Sequence, residues 1–453
     1  IPLDDTKTYT MLAKGSARGG FQLESGGMKD LLKRLRPDCF DDLIAVLALY
    51  RPGPLGSGMV DSYVRRKHRE EPILYAHPSL EPILKESLGV ILYQEQVMRI
   101  SNVLSGFSLN EADNLRKAMG KKKPEVLAKF KERFVEGAKA NKVPEKVASE
   151  VFDLIEYFAG YGFNKSHSAA YALITYQTAW LKANYPVEYM AGLLTCEMIQ
   201  IEKTAEYIEE CRSMGIRVLP PDVNKSFARF SVEDGSIRFA LAALKGVGEG
   251  AVNSMVAARE SGAPFRSLYD FCERIDLRAT NKGTIEALIH AGAADSLAGN
   301  RAQKCAVIED AMAVGLAAAK DKRTGQGSLF AAFEEEEDAN PVAPKGMPAL
   351  PEFEEADRLA KEKNILGFFL SGHPLNRHRS AIMRFSNASI ANLRKVGEGQ
   401  KITVGGMITA VRALTIRNGR SAGQKMAVLR FEDFSGACDA LIFSELYPSL
   451  IDR

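Results

Sequence analysis

Gly160–Ala172 reads GYGFNKSHSAAYA, and this stretch decides how the first part of the chain is built. Before it, Pro144 opens an amphipathic run in which Val147, Val151, Leu154, Ile155 and Phe158 fall on one helical face, and Gly160 and Gly162 end the run. Ser166 suits the N-cap of a following helix that the pattern carries to about Pro186. Asn164, Lys165, Ser166 and His167 therefore crowd a helix start. Unpaired backbone N–H groups and the positive end of the helix dipole favour an anion there. The plainer alternative is a helix corner with an ordinary serine cap. Trp180 shares a face of that second helix with Leu173 and Tyr176, which predicts core packing.

A second basic cluster favours the anion. Ser108 and Glu111 have capping-box spacing, so a helix is expected to start there, to carry Arg116 and Lys117 in its last turns and to stop at Gly120. Lys121, Lys122 and Lys123 follow, and Pro124 suits the first position of a further helix. Residues 101–142 hold ten Lys or Arg against five Asp or Glu, a local net of +5 in a chain whose total is +3. One or two cations at a helix C-terminus would answer its dipole. Five around one corner suggest a polyanion, either a nucleic-acid backbone or a triphosphate. The expectation is that this stretch and 164–167 meet in one cationic cradle; stretches on opposite sides of the molecule, or charges tucked against carboxylates, would overturn it.

Five blocks carry a family resemblance: Phe21–Ser25 (FQLES), Ala48–Pro54 (ALYRPGP), Tyr93–Met98 (YQEQVM), Leu115–Lys123 (LRKAMGKKK) and Gly160–His167 (GYGFNKSH). In this order they resemble the fingers of the bacterial DNA polymerase III alpha subunits, the C-family replicative polymerases. The resemblance implies a DNA-directed DNA polymerase that adds dNMP to a primer 3′-hydroxyl with release of pyrophosphate. It assigns the dNTP phosphates to Arg116, Lys117, Lys121, Lys122, Lys123, Asn164, Lys165, Ser166 and His167, with Arg51 as a further contact. Arg51 lies between the apolar run Leu43–Tyr50 and a Pro-Gly-Pro turn, so it is aimed at a ligand or caps the preceding helix. The family's Mg²⁺-binding palm aspartates have no counterpart here. The resemblance places them upstream of Ile1, so the chain is expected to be a polymerase fragment with no catalytic carboxylates, no metal site of its own and no activity alone. Asp4 and Asp5 read as residues of a Pro-led turn. Two-metal transfer needs a carboxylate cluster that the sequence does not show.

Composition fits a multi-domain protein of about three domains. No run of 18 apolar residues and no signal peptide is present, so no membrane is expected and the resemblance implies the cytoplasm. Cys39, Cys196, Cys211, Cys272, Cys305 and Cys438 have no paired spacing, which argues against a zinc site or a disulfide framework. The fold expectation is mainly α and multi-domain, with helical fingers and tandem helix-hairpin-helix units followed by a partial β OB-fold.

The fingers are expected over 1–200 and a clamp-binding domain over 201–333. Within the latter, short strands at Phe227–Val232 and Ser236–Ala240 flank a turn at Glu233–Gly235. Leu244–Ala251 (LKGVGEGA) has the alternating hydrophobic and glycine pattern of a helix-hairpin-helix, and Ala279–Ile289 (ATNKGTIEALI) stands where the family has a second unit. Lys245, Gly246, Gly248, Gly250, Asn281 and Lys282 are the candidate contacts to the backbone of primer-template DNA, read without regard to base sequence. An Ala-rich helix over 300–320 leads to Gln326–Phe330 (QGSLF), which resembles the pentapeptide bacterial polymerases present to the sliding clamp. Gln326, Leu329 and Phe330 would be its anchors. Other subunits of the polymerase III holoenzyme are implied partners.

Residues 334–362 hold ten acidic and three basic side chains and four prolines, which reads as a solvated linker. A connecting segment is expected over 363–400. From 401 to 453 the period switches to two, with strands around Ile402–Ile408, Met426–Phe431 and Ala440–Phe443, fewer than the five of an OB barrel. Two further readings stay open: a non-catalytic DNA- and clamp-binding module, and an error-prone paralogue of the same family.

Overall fold

Helices follow the apolar periodicity from the first residues. The structure, a computed structural model, describes residues 1–121, 124–159, 162–324, 347–417 and 421–450. These fall into two units: Ile1–Glu197 with Glu206–Arg217 and Val232–Ile237, and Met198–Ala205 with Val218–Ser231 and Arg238–Arg453.

The first unit is helical: α1 (Thr6–Ala13), α2 (Gly26–Leu35), α3 (Phe40–Leu49), α4 (Pro52–Gly56), α5 (Met59–Lys67), α6 (Glu81–Leu84), α7 (Gln94–Ser105), α8 (Leu109–Lys121), α9 (Pro124–Ala140), α10 (Glu145–Ala159), α11 (Lys165–Asn184) and α12 (Pro186–Glu197). Two cores hold it together. One gathers Leu12, Leu32, Leu43, Val46, Tyr63 and Tyr176 from α1, α2, α3, α5 and α11. The other gathers Ile100, Leu115, Phe134, Phe152 and Ile155 from α7 to α10. A Cβ at Gly137 would collide with the Ser105 carbonyl, so glycine is what lets α9 lie on α7. The start of α7 sits at the seam: Tyr93 belongs to the first core and Val97 to the second.

Most predicted helices form, with local differences. The Ser108–Glu111 capping box is present, with Ser108 N–H donating to the Glu111 carboxylate at 2.8 Å and Glu111 N–H to the Ser108 hydroxyl at 3.2 Å. Gly120 does not end α8, which runs to Lys121; glycine weakens a helix without barring it. Leu154 lies at the edge of the α10 stripe and is exposed, as is Leu173 on α11. Trp180 packs on the first core as expected. Asp5 caps α1, accepting from Thr8 N–H at 3.0 Å and Asn184 at 2.9 Å, and the Thr8 and Asn184 hydrogen bonds hold its carboxyl below the usual range.

After α13 (Ile201–Ser213) come the short strands β1 (Val218–Leu219), β2 (Ser231–Glu233) and β3 (Ser236–Arg238), with Asp234 and Gly235 at φ 48° and 71° in the turn between the last two. In the second unit α14 (Glu249–Glu260), α15 (Leu268–Arg274), α16 (Lys282–His290), α17 (Arg301–Ala306) and α18 (Ile308–Thr324) follow, and α15 packs against α18. The Ala-rich helix expected over 300–320 is therefore two helices, the first opened by an Asn300–Gln303 capping box.

The acidic stretch holds more structure than its charge suggests. Residues 325–346 lie outside the described residues, but α19 (Glu355–Leu366) buries Leu359 and Leu366, one heptad apart. Glu362 on the same helix accepts from the Leu370 and Ser371 N–H groups at 2.9 and 2.8 Å, so one of the counted acids is a buried acceptor. A short α20 (Arg379–Phe385) leads to β4 (Met407–Thr415), β5 (Lys425–Asp433) and β6 (Gly436–Ile442), antiparallel in the order β4-β5-β6. The register pairs Met407 with Glu432, Thr415 with Lys425 and Asp433 with Gly436. Residues 401–406, expected in the first strand, lie before it. A mainly helical chain with a small C-terminal sheet, consistent with a partial OB-like fold, is what the period switch implied. Among the described residues no helix is long and apolar enough to cross a membrane, and the six cysteines are free.

Candidate functional site

A third segment, the start of α7, links the basic stretch on α8 to the one at α11. Tyr93 and Phe163 form a parallel bridge: Gln94 N–H donates to the Phe163 carbonyl at 2.9 Å and Phe163 N–H to the Leu92 carbonyl at 3.4 Å. This brings the N-termini of α7 and α11 together, so two positive dipole ends share one corner. Gln94 then reaches both ways. Its amide Nε2 donates to the Gly162 carbonyl at 3.1 Å, and its Oε1 accepts from Arg116 Nη1 at 3.3 Å, tying the end of α8 to the start of α11.

The cap differs from the one expected. Asn164, with extended backbone, is the N-cap of α11 and accepts from His167 N–H at 2.8 Å, while Ser166 lies inside the first turn. The bridge with Tyr93 holds the chain extended through Phe163, which leaves Asn164 as the last non-helical residue.

The corner is not a bare cationic cradle. Asp113 binds Arg116 Nη2 at 2.8 Å and Lys117 Nζ at 2.7 Å, and these hydrogen bonds, Lys117 first, hold its carboxyl below the ordinary range. Lys165 Nζ reaches Glu86 at 2.6 Å, and Lys165 N–H donates to both Glu95 oxygens at 3.1 and 3.0 Å. The expectation of unmatched charge is thus corrected, because Glu86 and Glu95 come from outside the counted stretch. Magnitude decides what the pairing means. Lys165 and Glu86 are 34% and 38% exposed, and such pairs contribute about 0–1 kcal/mol, which a polyanion reaching several cations at once can replace. Lys121 closes α8, and Lys122 and Lys123 lie outside the described residues.

Beside the corner runs a ladder of rings. Phe163, His167 and Tyr171 are spaced four residues apart, the last two one turn apart on α11. Phe163 stands edge-on to His167 at 5.4 Å, His167 lies 4.3 Å from Tyr171, and Tyr171 meets Phe21 at 5.5 Å. Arg51 adds a cation at one end: its guanidinium lies 4.3 Å from the Phe163 centroid while its Nε donates to the Ala48 carbonyl at 2.8 Å. Arg51 therefore caps α3, and its guanidinium lies against Phe163. Burial lowers its affinity for a proton. A cleft of about 190 Å³ lined by Gln22, Leu47, Phe163, His167, Ser168 and Tyr171 shares Gln22 and Leu47 with a larger one of about 460 Å³ that reaches Tyr50 and Arg51.

Sequence reasoning missed Gln94, Glu95, Glu86, Phe163 and Tyr171. The i, i+4, i+8 spacing of the rings was a readable signal. No local signal marked the carboxylates.

In the second unit, Gly246 has φ +85°, which the turn before α14 requires of glycine. Gly248 caps α14, and no atom stands within 4 Å of a Cβ built at Gly248 or Gly250, so a ligand could approach that helix start. Asn281 caps α16 through Thr284 N–H at 3.0 Å, and the Thr284 hydroxyl donates to the Gly246 carbonyl at 3.0 Å, which joins the two expected DNA-contact loops. Lys245 is exposed. Lys282 pairs with Glu309 at 2.6 Å on the surface. The clamp candidates Gln326, Leu329 and Phe330 lie outside the described residues.

No Mg²⁺ site is built from the described residues. Asp38, Cys39 and Asp42 come close enough to share an ion, but Lys67 Nζ already lies 2.7 Å from both carboxylates, and a thiol does not suit a hard cation.

Comparison with known proteins matches two parts of the chain to families and its whole length to relatives. Residues 1–142 match the bacterial DNA polymerase III alpha subunit finger domain, and residues 215–304 match a helix-hairpin-helix motif. The chain is 45% identical over 451 residues to DNA polymerase III subunit alpha of Vibrio cholerae serotype O1, covering 98% of this chain and 38% of that protein. For the proteins of the same name in Pseudomonas aeruginosa and Escherichia coli K12 the identities are 45% and 43%, over 99% and 100% of this chain and 39% of each relative. The chain thus spans about two fifths of the length of the curated relatives it matches.

Proposed function

We propose that this chain, which carries the finger domain and helix-hairpin-helix motif of bacterial DNA polymerase III alpha subunits, is the part of a replicative DNA-directed DNA polymerase that holds the triphosphate of the incoming nucleotide, grips duplex DNA and reaches the sliding clamp. The observation that carries the reading is the convergence of the α7 and α11 N-termini with Arg116 and Lys165 at one corner. Charge placed there falls where negative charge grows on the β- and γ-phosphates as pyrophosphate departs, and preorganised donors stabilise that change. His167 and Tyr171 line the adjoining cleft, a suitable wall for a planar base.

The Mg²⁺ that such transfer uses would be held by carboxylates outside this chain, so no step through the metal is derived from these residues. In unit two the α14 start, open at Gly248 and Gly250, and the Asn281 cap beside it suit phosphates of the DNA backbone. Gln326, Leu329 and Phe330 would dock in a pocket of the clamp, with the remaining holoenzyme subunits as further partners and the cytoplasm as the setting.

Two substitutions in the full-length enzyme test the division of labour. Arg116→Ala is expected to lower turnover and nucleotide affinity, whereas Phe330→Ala spares single-nucleotide addition and shortens the product made per binding event. Equal loss of both activities in both variants would refute it.

A further inference from the structure

The corner contains its own anion. Glu95 stands in the first turn of α7, and its carboxylate accepts from the first N–H of α11 with both oxygens, at 3.1 and 3.0 Å. It therefore occupies the position between two helix starts where a phosphate oxygen would be best stabilised. The other carboxylates hold side chains only: Glu86 takes Lys165 Nζ, and Asp113 takes Arg116 and Lys117. Three cations and three carboxylates leave the described corner close to neutral.

Resting on the triphosphate reading above, we infer that Glu95 is an internal competitor for the phosphate position, displaced when a polyphosphate arrives and restored as pyrophosphate leaves. The consequence is weaker resting occupancy and easier product release. Two features make it displaceable. Both oxygens share a single N–H, which is less than two full hydrogen bonds, and the residue is only half-buried. When displaced, Glu95 remains at the acidic first turn of its own helix, where the α7 dipole still favours it. The competing structural role is a clasp that merely fastens α11 to α7, and the two differ in sign. Removing a competitor tightens anion binding, whereas removing a clasp loosens the site.

The test uses this chain with inorganic tripolyphosphate and pyrophosphate as probes, titrated by calorimetry at fixed ionic strength. Glu95→Gln preserves shape and an acceptor for Lys165 N–H, and a matching thermal melt confirms the fold. Both probes are expected to bind about tenfold more tightly to Glu95→Gln, the worth of one charge-assisted hydrogen bond. Glu95→Asp, which keeps the charge, should stay near wild type. Unchanged or weaker binding in Glu95→Gln overturns the inference. If the wild type binds tripolyphosphate and loses it on Arg116→Ala, such a result removes the competitor role alone. If neither the wild type nor Glu95→Gln binds either probe, the triphosphate reading falls with it.

Discussion

Gln94 is the residue through which the two basic stretches communicate, so replacing it with methionine, which has similar length and no amide, should separate them. The change removes the donor to the Gly162 carbonyl at 3.1 Å and the acceptor for Arg116 at 3.3 Å. A half-exposed neutral hydrogen bond contributes about 1 kcal/mol and the longer contact about 0.5 kcal/mol, so about 1.5 kcal/mol of positioning is lost. The fold should survive, because the Gln94 N–H still donates to the Phe163 carbonyl. Arg116 would keep Asp113, but Asp113 lies on its own helix and orients the guanidinium along α8 instead of toward α11. Since 1.4 kcal/mol is a factor of ten, we expect nucleotide affinity in the full-length polymerase to fall about tenfold. Single-turnover incorporation measured across dNTP concentrations gives affinity and maximal rate separately, and the larger effect should fall on affinity. A double-mutant cycle with Arg116→Ala sharpens the claim: Gln94→Met should cost less once Arg116 is gone, with a coupling of about 0.5–1 kcal/mol. Full additivity, or unchanged affinity in Gln94→Met, would refute the idea that Gln94 links the stretches.

Two predictions concern the scaffold. Lys182 is buried, and its Nζ donates to the Ser16 and Arg18 carbonyls at 3.2 and 2.7 Å and to Glu210 at 2.5 Å. Lys182→Met strands both carbonyls and leaves the Glu210 carboxylate only Arg18, at 3.9 Å, so it should cost about 3 kcal/mol in urea unfolding; a loss below about 1 kcal/mol would show that the pair relaxes into water. Burial pushes the Cys211 and Cys272 thiols up to about 12 and Cys305 to about 11, so at pH 8 they stay protonated. Iodoacetamide should therefore modify the exposed Cys196 before these three, and labelling of Cys272 at a comparable rate in the native chain would contradict the buried placement. The linkage sign is definite: a thiol raised on folding adds stability that is present below its unfolded pKa and lost as the pH climbs through the folded one, so stability should decline in the alkaline range.

What could be read from the sequence and what could not divide along a physical line. Capping boxes, proline starts and apolar stripes act within a few residues, and α8, α9 and α10 follow them closely. The choice between Ser166 and Asn164 as cap could not be made locally, because both are good caps and the decision rests with Tyr93, which pairs with Phe163. The same holds for the charge. A net of +5 over 101–142 is a count along the chain, but the field at the corner is set by whatever the fold brings there. Glu86 and Glu95 lie 79 and 70 positions before the lysine they bind. A stretch of sequence can thus concentrate one sign of charge without showing which carboxylates the fold brings against it. The distinction has a functional edge: a bare cradle would hold any phosphate, including the pyrophosphate it has just released. On the proposed triphosphate reading, a corner whose cations rest on partly exposed carboxylates exchanges one weak set of pairs for another, which would keep binding reversible on each round.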